Sequence, residues 1–265
     1  MAIAQSLHGA LTPVTDRPDE DRTDEAPRIA GRIAYQDSDL IVIAKQRGEL
    51  VHGPNSLEDD VRAYLHGRLA GGLSFRPGPV HRLDRNTSGL VVFAVSLRGA
   101  QAAAAAFRDG TIVKRYVAVF EGTVKAAVWR DSLSRDERTR TTRKATGEAG
   151  SRDAVTIVEP VAANGRLTVA TVRIATGRTH QIRSQAALHG HPLAGDRKYG
   201  STAPGPYLLH AASLTATGGA VRFGHLHAQL PEPFAERLRR EFGARTVREI
   251  ERRSVAPAAA HYGAH

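Results

Sequence analysis

Cysteine is absent from this sequence, and methionine and tryptophan occur once each in 265 residues. That excludes disulfides, a thiol nucleophile and the cysteine-built zinc ribbons. No apolar run approaches the roughly 18 residues that a membrane-spanning helix needs. The N-terminal stretch lacks the basic start and apolar segment of a signal peptide, so the expectation is a soluble cytoplasmic protein. There is no P-loop, no G-x-G-x-x-G fingerprint and no G-x-S-x-G nucleophile elbow. His189 with His191, and His225 with His227, are paired in sequence, but no carboxylate accompanies them at metal-ligand spacing. The chain therefore offers nothing that asks for a metal or a nucleotide cofactor.

Positive charge is abundant. Lys and Arg number 37 against 27 Asp and Glu, a net +10 that is unevenly spread. Residues 1–27 hold six carboxylates against two arginines, a local −4, which leaves +14 on the remainder. Polar, rich in Asp, Thr and Pro, and without period, this leader reads as disordered. The basic body is dominated by arginine, whose planar fork suits phosphate, and points to a polyanion, most simply nucleic acid.

Hydrophobic residues make up 41% of the chain, enough for a full core over residues 28–253, followed by a frayed low-complexity tail over 254–265. The pattern predicts strands over 32–45, around a turn at Asp37-Ser38, then a helix capped by Ser56. That helix carries Leu57, Val61, Tyr64, Leu65 and Leu69 on one face and stops at Gly71-Gly72. Leu90–Val95 reads as a buried strand. Ser96–Asp109 reads as a helix with Leu97, Ala100, Ala104 and Phe107 inward. Strands follow at 111–122 and 166–177, with a charged loop or hairpin between them over 130–153. The second of these strands alternates so that the face of Leu167, Val169, Thr171 and Arg173 is half polar, which predicts uneven cover of the sheet. A helix over Thr179–His189, strands over 207–217 and 221–228, and a basic helical tail from Pro233 complete the chain. Short strand-to-strand spacings favour an α+β fold with a largely antiparallel mixed sheet flanked by helices.

Two segments look like loops aimed at one point: HRLDRNTSGL (81–90) and TGRTHQIRSQAALHGHPLAGDRKYG (176–200). In the first, Asp84 stands between Arg82 and Arg85. In the second, Arg178 is placed at a helix start, where it pairs with Asp84, with a phosphate, or with both in turn. A buried Arg–Asp bridge locking two loops is the bland alternative. The crowding of His81, Arg82, Arg85, His180, Gln181 and Arg183 alongside argues for a site, because buried ion pairs are weak sources of stability.

HRLDRNTSGL resembles the signature of the RluA family of pseudouridine synthases, H-R-[LI]-D-x-x-T-[SG]-G-[LI]. Further blocks resemble the family in order: DLIVIAK with GELVHG, KRYVAVFEG, TGRTHQIR, GHPLAGDRKYG, LLHAASL and AQLPEPF. The resemblance implies the pseudouridine synthase fold, and an isomerase that detaches uridine from its ribose in ribosomal or transfer RNA, turns it and rejoins it through C5. It implies that Asp84 is catalytic, that Arg178 bridges it, and that Tyr116 stacks on the base and takes the C5 proton. It implies that Arg82 fills the gap left by the flipped uridine. His81, Thr87, Gln181 and Arg183 would shape the site or hold phosphates. Neither cofactor nor metal is implied, the partner is RNA, and a monomer suffices. The chain departs from the family's N-K-P-x-G turn, reading Ala44-Lys45-Gln46-Arg47-Gly48. The residues ahead of the catalytic blocks are too few for the small RNA-binding domain found in many members, so the expectation is that RNA selection falls to the basic surface, including Arg130–Lys144 and the tail Arg237–Arg253. The alternative function is a catalytically silent RNA-binding or ribosome-assembly module of the same fold.

Overall fold

A computed structural model describes residues 28–66, 75–145, 147 and 150–257. The acidic leader, Leu69, Gly71-Gly72 and the last eight residues lie outside the described residues. The chain builds an eleven-stranded sheet. Asp37 accepts the amide N–H groups of Asp39 and Leu40 at 2.8 and 2.7 Å, closing the turn between β1 (Ile33–Gln36) and β2 (Leu40–Lys45). After α1 (Leu57–Leu65) come β3 (Gly78–Pro79), β4 (Ser88–Ala94), α2 (Leu97–Arg108) and β5 (Ile112–Glu121). The charged stretch forms a hairpin of β6 (Ala127–Asp136) and β7 (Thr141–Lys144), followed by β8 (Arg152–Ala163) and β9 (Leu167–Ile174). Then come α3 (Gln181–Leu188), β10 (Leu209–Ala216), β11 (His225–His227), α4 (Glu232–Phe242) and α5 (Ala244–Val255).

The strands lie in the order β1-β2-β4-β10-β5-β9-β8-β6-β7, with β3 beside β4 and β11 beside β10. Every pairing is antiparallel except β4 with β10, so the sheet is mixed but largely antiparallel. That parallel contact explains the glycine of the Thr-Ser-Gly turn. Gly89 has φ +115°, and a Cβ there would lie 2.2 Å from the carbonyl oxygen of Ala211 in β10. Only a residue without a side chain lets β10 approach the strand that follows the Asp84 loop.

Alternation along β5 and β9 divides the core. Tyr116, Ala118 and Phe120 of β5 and Ala170, Val172 and Ile174 of β9 face α3 through Ile182 and Ala186. Val117, Val119, Leu167 and Val169 face the other way, onto Phe234, Leu238, Val247 and Ile250 of α4 and α5. Leu238 and Ile250 are fully buried, worth ~1.5–3 kcal/mol each. The uneven cover expected from the half-polar face of β9 is thus corrected. Thr171 is buried, and Arg173 reaches Glu159 of β8 at 3.3 Å. The segment expected as a basic tail is the covering layer, broken into two helices at Gly243. α5 continues through Val255, and Ser254 is buried.

α2 is turned part-way from its expected face. Ala100 and Phe107 pack against the core as expected, but Leu97 is 60% exposed and Ala104 is exposed, while Gly99, Ala103 and Ala106 are buried. A Cβ on Gly99 would lie 2.1 Å from the Asp39 carbonyl, so the helix start rests on the β1–β2 turn, and this contact sets its rotation. Gly89→Ala is expected to destabilise the protein by about 3 kcal/mol or more, read as a lower midpoint in urea unfolding. An unchanged midpoint would show that β10 does not need the close approach.

Candidate active site

The loop before β4 carries Asp84. The amide N–H of Thr87 donates to the carbonyl of Asp84 at 3.0 Å, which makes 84–87 a tight turn. A buried lysine locks it. Lys45, 2% exposed at the end of β2, donates through Nζ to the carbonyls of Gln46, Arg85 and Thr87 at 2.9, 2.9 and 2.8 Å. Burial pulls its pKa down to about 8, and the three carbonyl dipoles take the place of water around the ammonium. Gly48 N–H reaches Arg85 O at 2.8 Å and Arg85 Nε returns to Gly48 O at 2.9 Å, so the turn after β2 and the Asp84 loop form one unit.

The opposite wall is α3. His180 at its N-cap has φ +53°, a left-handed conformation that costs a non-glycine residue free energy. Gln181 compensates by using all its polar capacity. Its Oε1 accepts from Thr176 Oγ1 and the Arg178 N–H, and its Nε2 donates to Val155 O and Thr156 Oγ1, all between 2.7 and 3.0 Å. Nothing on Gln181 is left for a phosphate, so it shapes the helix start.

Arg183 makes the ion pair that Arg178 was expected to make. Its Nη1 donates to Asp84 Oδ2 at 2.9 Å. Nε and Nη2 grip Asp196 at 2.6 and 2.8 Å, and the guanidinium lies between the rings of Tyr199 and Tyr207, 5.0 and 4.5 Å from their centroids. Burial opposes its charge, but the hydrogen bond to Asp196 and the neighbouring anionic groups outweigh burial and raise its pKa. Fully engaged, Arg183 does not hold phosphate. Arg178 sends Nε to the Asp153 carbonyl at 3.0 Å and lines the cavity wall. The reason is the helix start. α3 begins at Gln181, so Arg183 lies in its first turn and points at the core side, while Arg178 remains on the entering loop.

A cavity of about 330 Å³ opens between these walls, lined among others by His81, Arg82, Asp84, Lys114, Tyr116 and Arg178. An adjoining hollow adds Thr87, Gln181 and Arg183. The eight residues singled out from sequence therefore converge, though not in equal roles. Asp84 is at the floor with its side chain 19% exposed, Arg82 is exposed at the rim, and Tyr116 is a buried wall residue. Thr87 Oγ1 lies 3.3 Å from the Tyr207 hydroxyl. His81 accepts the Val92 N–H on Nε2 at 3.1 Å and packs on Phe107. Burial and Lys114 push its pKa down to about 3, so it is neutral and structural.

Sequence reasoning passed over Lys45, Lys114, Tyr199 and Tyr207, took Asp196 only as part of its block, and counted His180 in the crowd around Asp84 without giving it a role. His180 Nε2 is 3.7 Å from Asp84 Oδ1, and its Nδ1 meets the Tyr199 hydroxyl at 2.8 Å. The Tyr199 oxygen already accepts the Thr142 N–H at 2.9 Å; in the tautomer where Tyr199 donates its proton to Nδ1, an Nε2–H faces Asp84. Burial lowers the pKa of His180 and the Asp84 charge only partly opposes it. Lys114 enters from β5, two residues before Tyr116. Burial first, then Arg178, pulls its pKa down to about 8. The one available clue was the K-x-Y spacing, which puts both side chains on one face of a strand.

The geometry now meets its relatives. The model of the RNA pseudouridylate synthase family matches residues 39–188, which contain Asp84, Tyr116 and Arg183. This chain belongs to that family. It is 32% identical to the uncharacterized RNA pseudouridine synthase YlyB of Bacillus subtilis, over 77% of this chain and 70% of that one. It is 31% identical to ribosomal large subunit pseudouridine synthase D of Zymomonas mobilis, over 76% of this chain and 66% of that one. With the Yersinia pestis synthase D the identity is 34%, over 73% of this chain and 60% of the other. The chain thus spans two thirds or less of these two synthases D. Human RNA Pseudouridylate Synthase Domain Containing 4 shares the fold, with a TM-score of 0.68 at 24% identity over 80% of this chain and 93% of that one.

Two outcomes test the electrostatics of the site. Arg183→Met strands two carboxylates, one of them buried, and is expected to cost about 3–5 kcal/mol in chemical unfolding. Lys114→Met should do the reverse at neutral pH. With its folded pKa near 8 and an unfolded value of 10.5, the native state binds fewer protons than the unfolded chain between those values. Wild-type stability then rises with pH across that window. The variant should melt roughly 2–4 °C higher at pH 7, and the gap should close by pH 10. A gap that persists at pH 10 would mean that packing, not charge, sets it.

Proposed function

We propose that this chain converts uridine to pseudouridine in RNA, with ribosomal RNA the first substrate class to test, and that Asp84 is the catalytic carboxylate. The observation that carries this is the anchored Asp84 at the floor of a cavity whose walls hold Lys114, Arg178 and Tyr116 and whose rim holds Arg82. The cations face a phosphodiester, and the single carboxylate faces the nucleoside.

The reaction is balanced without redox change. The N1–C1′ bond breaks, the base turns, C5 bonds to C1′, the C5 proton leaves, and N1 gains a proton. Uridine has to leave the stack to reach Asp84, at a cost of a few kcal/mol, and Arg82 at the rim is placed to enter the gap. Asp84 reacts by adding to the base or ribose, or by assisting glycosidic cleavage. Each route requires it aimed by Arg183 and the turn that Lys45 holds. Tyr116 supplies a flat face for the base and a phenolic oxygen for the departing C5 proton. Arg178 and Lys114 bind backbone phosphate, a salt-sensitive contribution. The reading needs no metal or cofactor. It places the protein with its RNA in the cytoplasm, and one copy of the chain supplies every group named.

The test is pseudouridine mapping of total RNA, by carbodiimide-blocked reverse transcription, in cells with and without the gene. Sites should vanish on deletion, return with the wild-type chain and stay absent with Asp84→Asn, which should lose roughly a thousandfold or more in rate while remaining folded. Restoration by Asp84→Asn would sink the assignment of Asp84. Sites unchanged on deletion, with RNA still bound, would favour the silent binding module.

A further inference from the structure

A second cavity, of about 310 Å³, lies beside the hollow that adjoins the first. Leu209 lines both the hollow and this cavity. Its floor is apolar, made by the buried Tyr207, Leu209 and Phe234. Three guanidiniums, Arg47, Arg237 and Arg240, stand along it, against one carboxylate, Glu236. We propose that this cavity is a subsite for a nucleotide neighbouring the target uridine in the same RNA strand, its base on Tyr207 and Phe234 and its phosphate on Arg47 and Arg240. The inference rests on the reading of the first cavity as the uridine site.

Three observations select this occupant. The volume is at the lower end of small-ligand pockets, suited to one base and not to a folded partner. An aromatic, apolar floor with an arginine rim is the chemistry that holds single-stranded nucleotides by stacking and phosphate contact. Placement is the third. Arg47 lies in the turn after β2, where this chain departs from the N-K-P-x-G pattern, and that turn is hydrogen-bonded to the Asp84 loop through Gly48 and Arg85. Asn86, exposed in the same loop, also lines the cavity and brings a side-chain amide to a base edge. Arg240 is 70% exposed and meets a carboxylate only at 4.0 Å, at Glu241, so most of its capacity faces solvent. Tyr207 links this cavity to the hollow, because its ring lies 4.5 Å from Arg183 and its hydroxyl 3.3 Å from Thr87, both of which line the hollow. A base on Tyr207 would therefore bear on the group that aims Asp84.

The probe is a short single-stranded oligouridylate carrying photoactivatable thiouridine at one position, mixed with the full chain bearing Asp84→Asn and irradiated. Adducts mapped by mass spectrometry are expected at Tyr116 from one thiouridine position and at Tyr207 or Phe234 from an adjacent one. Adding Arg47→Ala and Arg240→Ala should weaken oligouridylate binding about tenfold and remove the Tyr207 and Phe234 adducts while keeping those at Tyr116. Adducts at Tyr116 alone, the outcome if the cavity takes a peptide or nothing, would overturn the subsite and leave the isomerase reading standing. Adducts at Tyr207 that survive loss of both arginines would overturn the phosphate assignment. Pseudouridine formation by the wild-type chain reads the isomerase proposal separately.

Discussion

The site depends on how one guanidinium is shared. Arg183 gives its fork to Asp196 through two short bonds and has a single N–H over for Asp84. Two carboxylates on one cation leave the cluster with excess negative charge. Asp196 takes the bidentate geometry, which is the stronger one, so Asp84 is aimed without being fully neutralised. A carboxylate bound bidentately by its own arginine would be better stabilised and less available to react. The tyrosine rings on either side of Arg183 exclude water from the pair, which strengthens each remaining charge interaction.

That sharing explains which parts of the site were legible. Asp84 could be found because its turn is encoded locally. The Thr-Ser-Gly run after it has one purpose in Gly89, the close approach of β10, and the signature around it is short and dense. The partner of Asp84 could not be found the same way. Arg178 and Arg183 lie within one octapeptide, and choosing between them requires knowing where α3 starts. The apolar pattern of TGRTHQIRSQAAL does not say, because Gln181 through Ala186 are all buried, polar and apolar alike. A helix with its polar side chains inside has no amphipathic signal to read. Its start is set instead by His180 in a left-handed conformation and by the four bonds of Gln181, which are tertiary facts. Tyr199 and Tyr207 reach Arg183 from beyond α3, a proximity with no local signal.

The sheet was legible as strands, and less so as layers. β9 shows its alternation, but Thr171 and Arg173 read as a wet face until α4 and α5 cover them. Those helices look like a detachable basic tail because their arginines dominate the composition. Many are paired internally, Arg239 with Glu232 at 2.8 Å and Arg252 with Glu249 at 2.8 Å, and the apolar stripe of Phe234, Leu238, Val247 and Ile250 packs on the face of the sheet opposite α3. Net charge counted along a segment therefore overstates what it offers RNA. The cations not spent on carboxylates matter more, and several of these border the cavities.

Lys45 and Lys114 show what the protein gives up to be organised this way. Lys45 is an ammonium drawn fully out of water and Lys114 one drawn partly out, each with its pKa pulled to about 8, chiefly by burial. A methyl-terminated side chain would suit the place of Lys114 better on stability grounds, whereas at Lys45 it would strand three carbonyls. Their compensations differ. Lys45 meets three carbonyls and is complete as it stands, so its charge serves the fold by stapling the Asp84 turn. Lys114 has the Phe107 ring at 5.4 Å and Arg178, a like charge, as its largest electrostatic neighbour. A half-buried cation set beside another cation is under-compensated until an anion arrives. On the proposed reading, a polyanion entering the cavity supplies that anion to Lys114 and Arg178 together, and the strain they impose on the free protein is returned as affinity. Under that proposal stability is traded for binding at the wall of the cavity, while the floor, where Asp84 is held, is satisfied in advance.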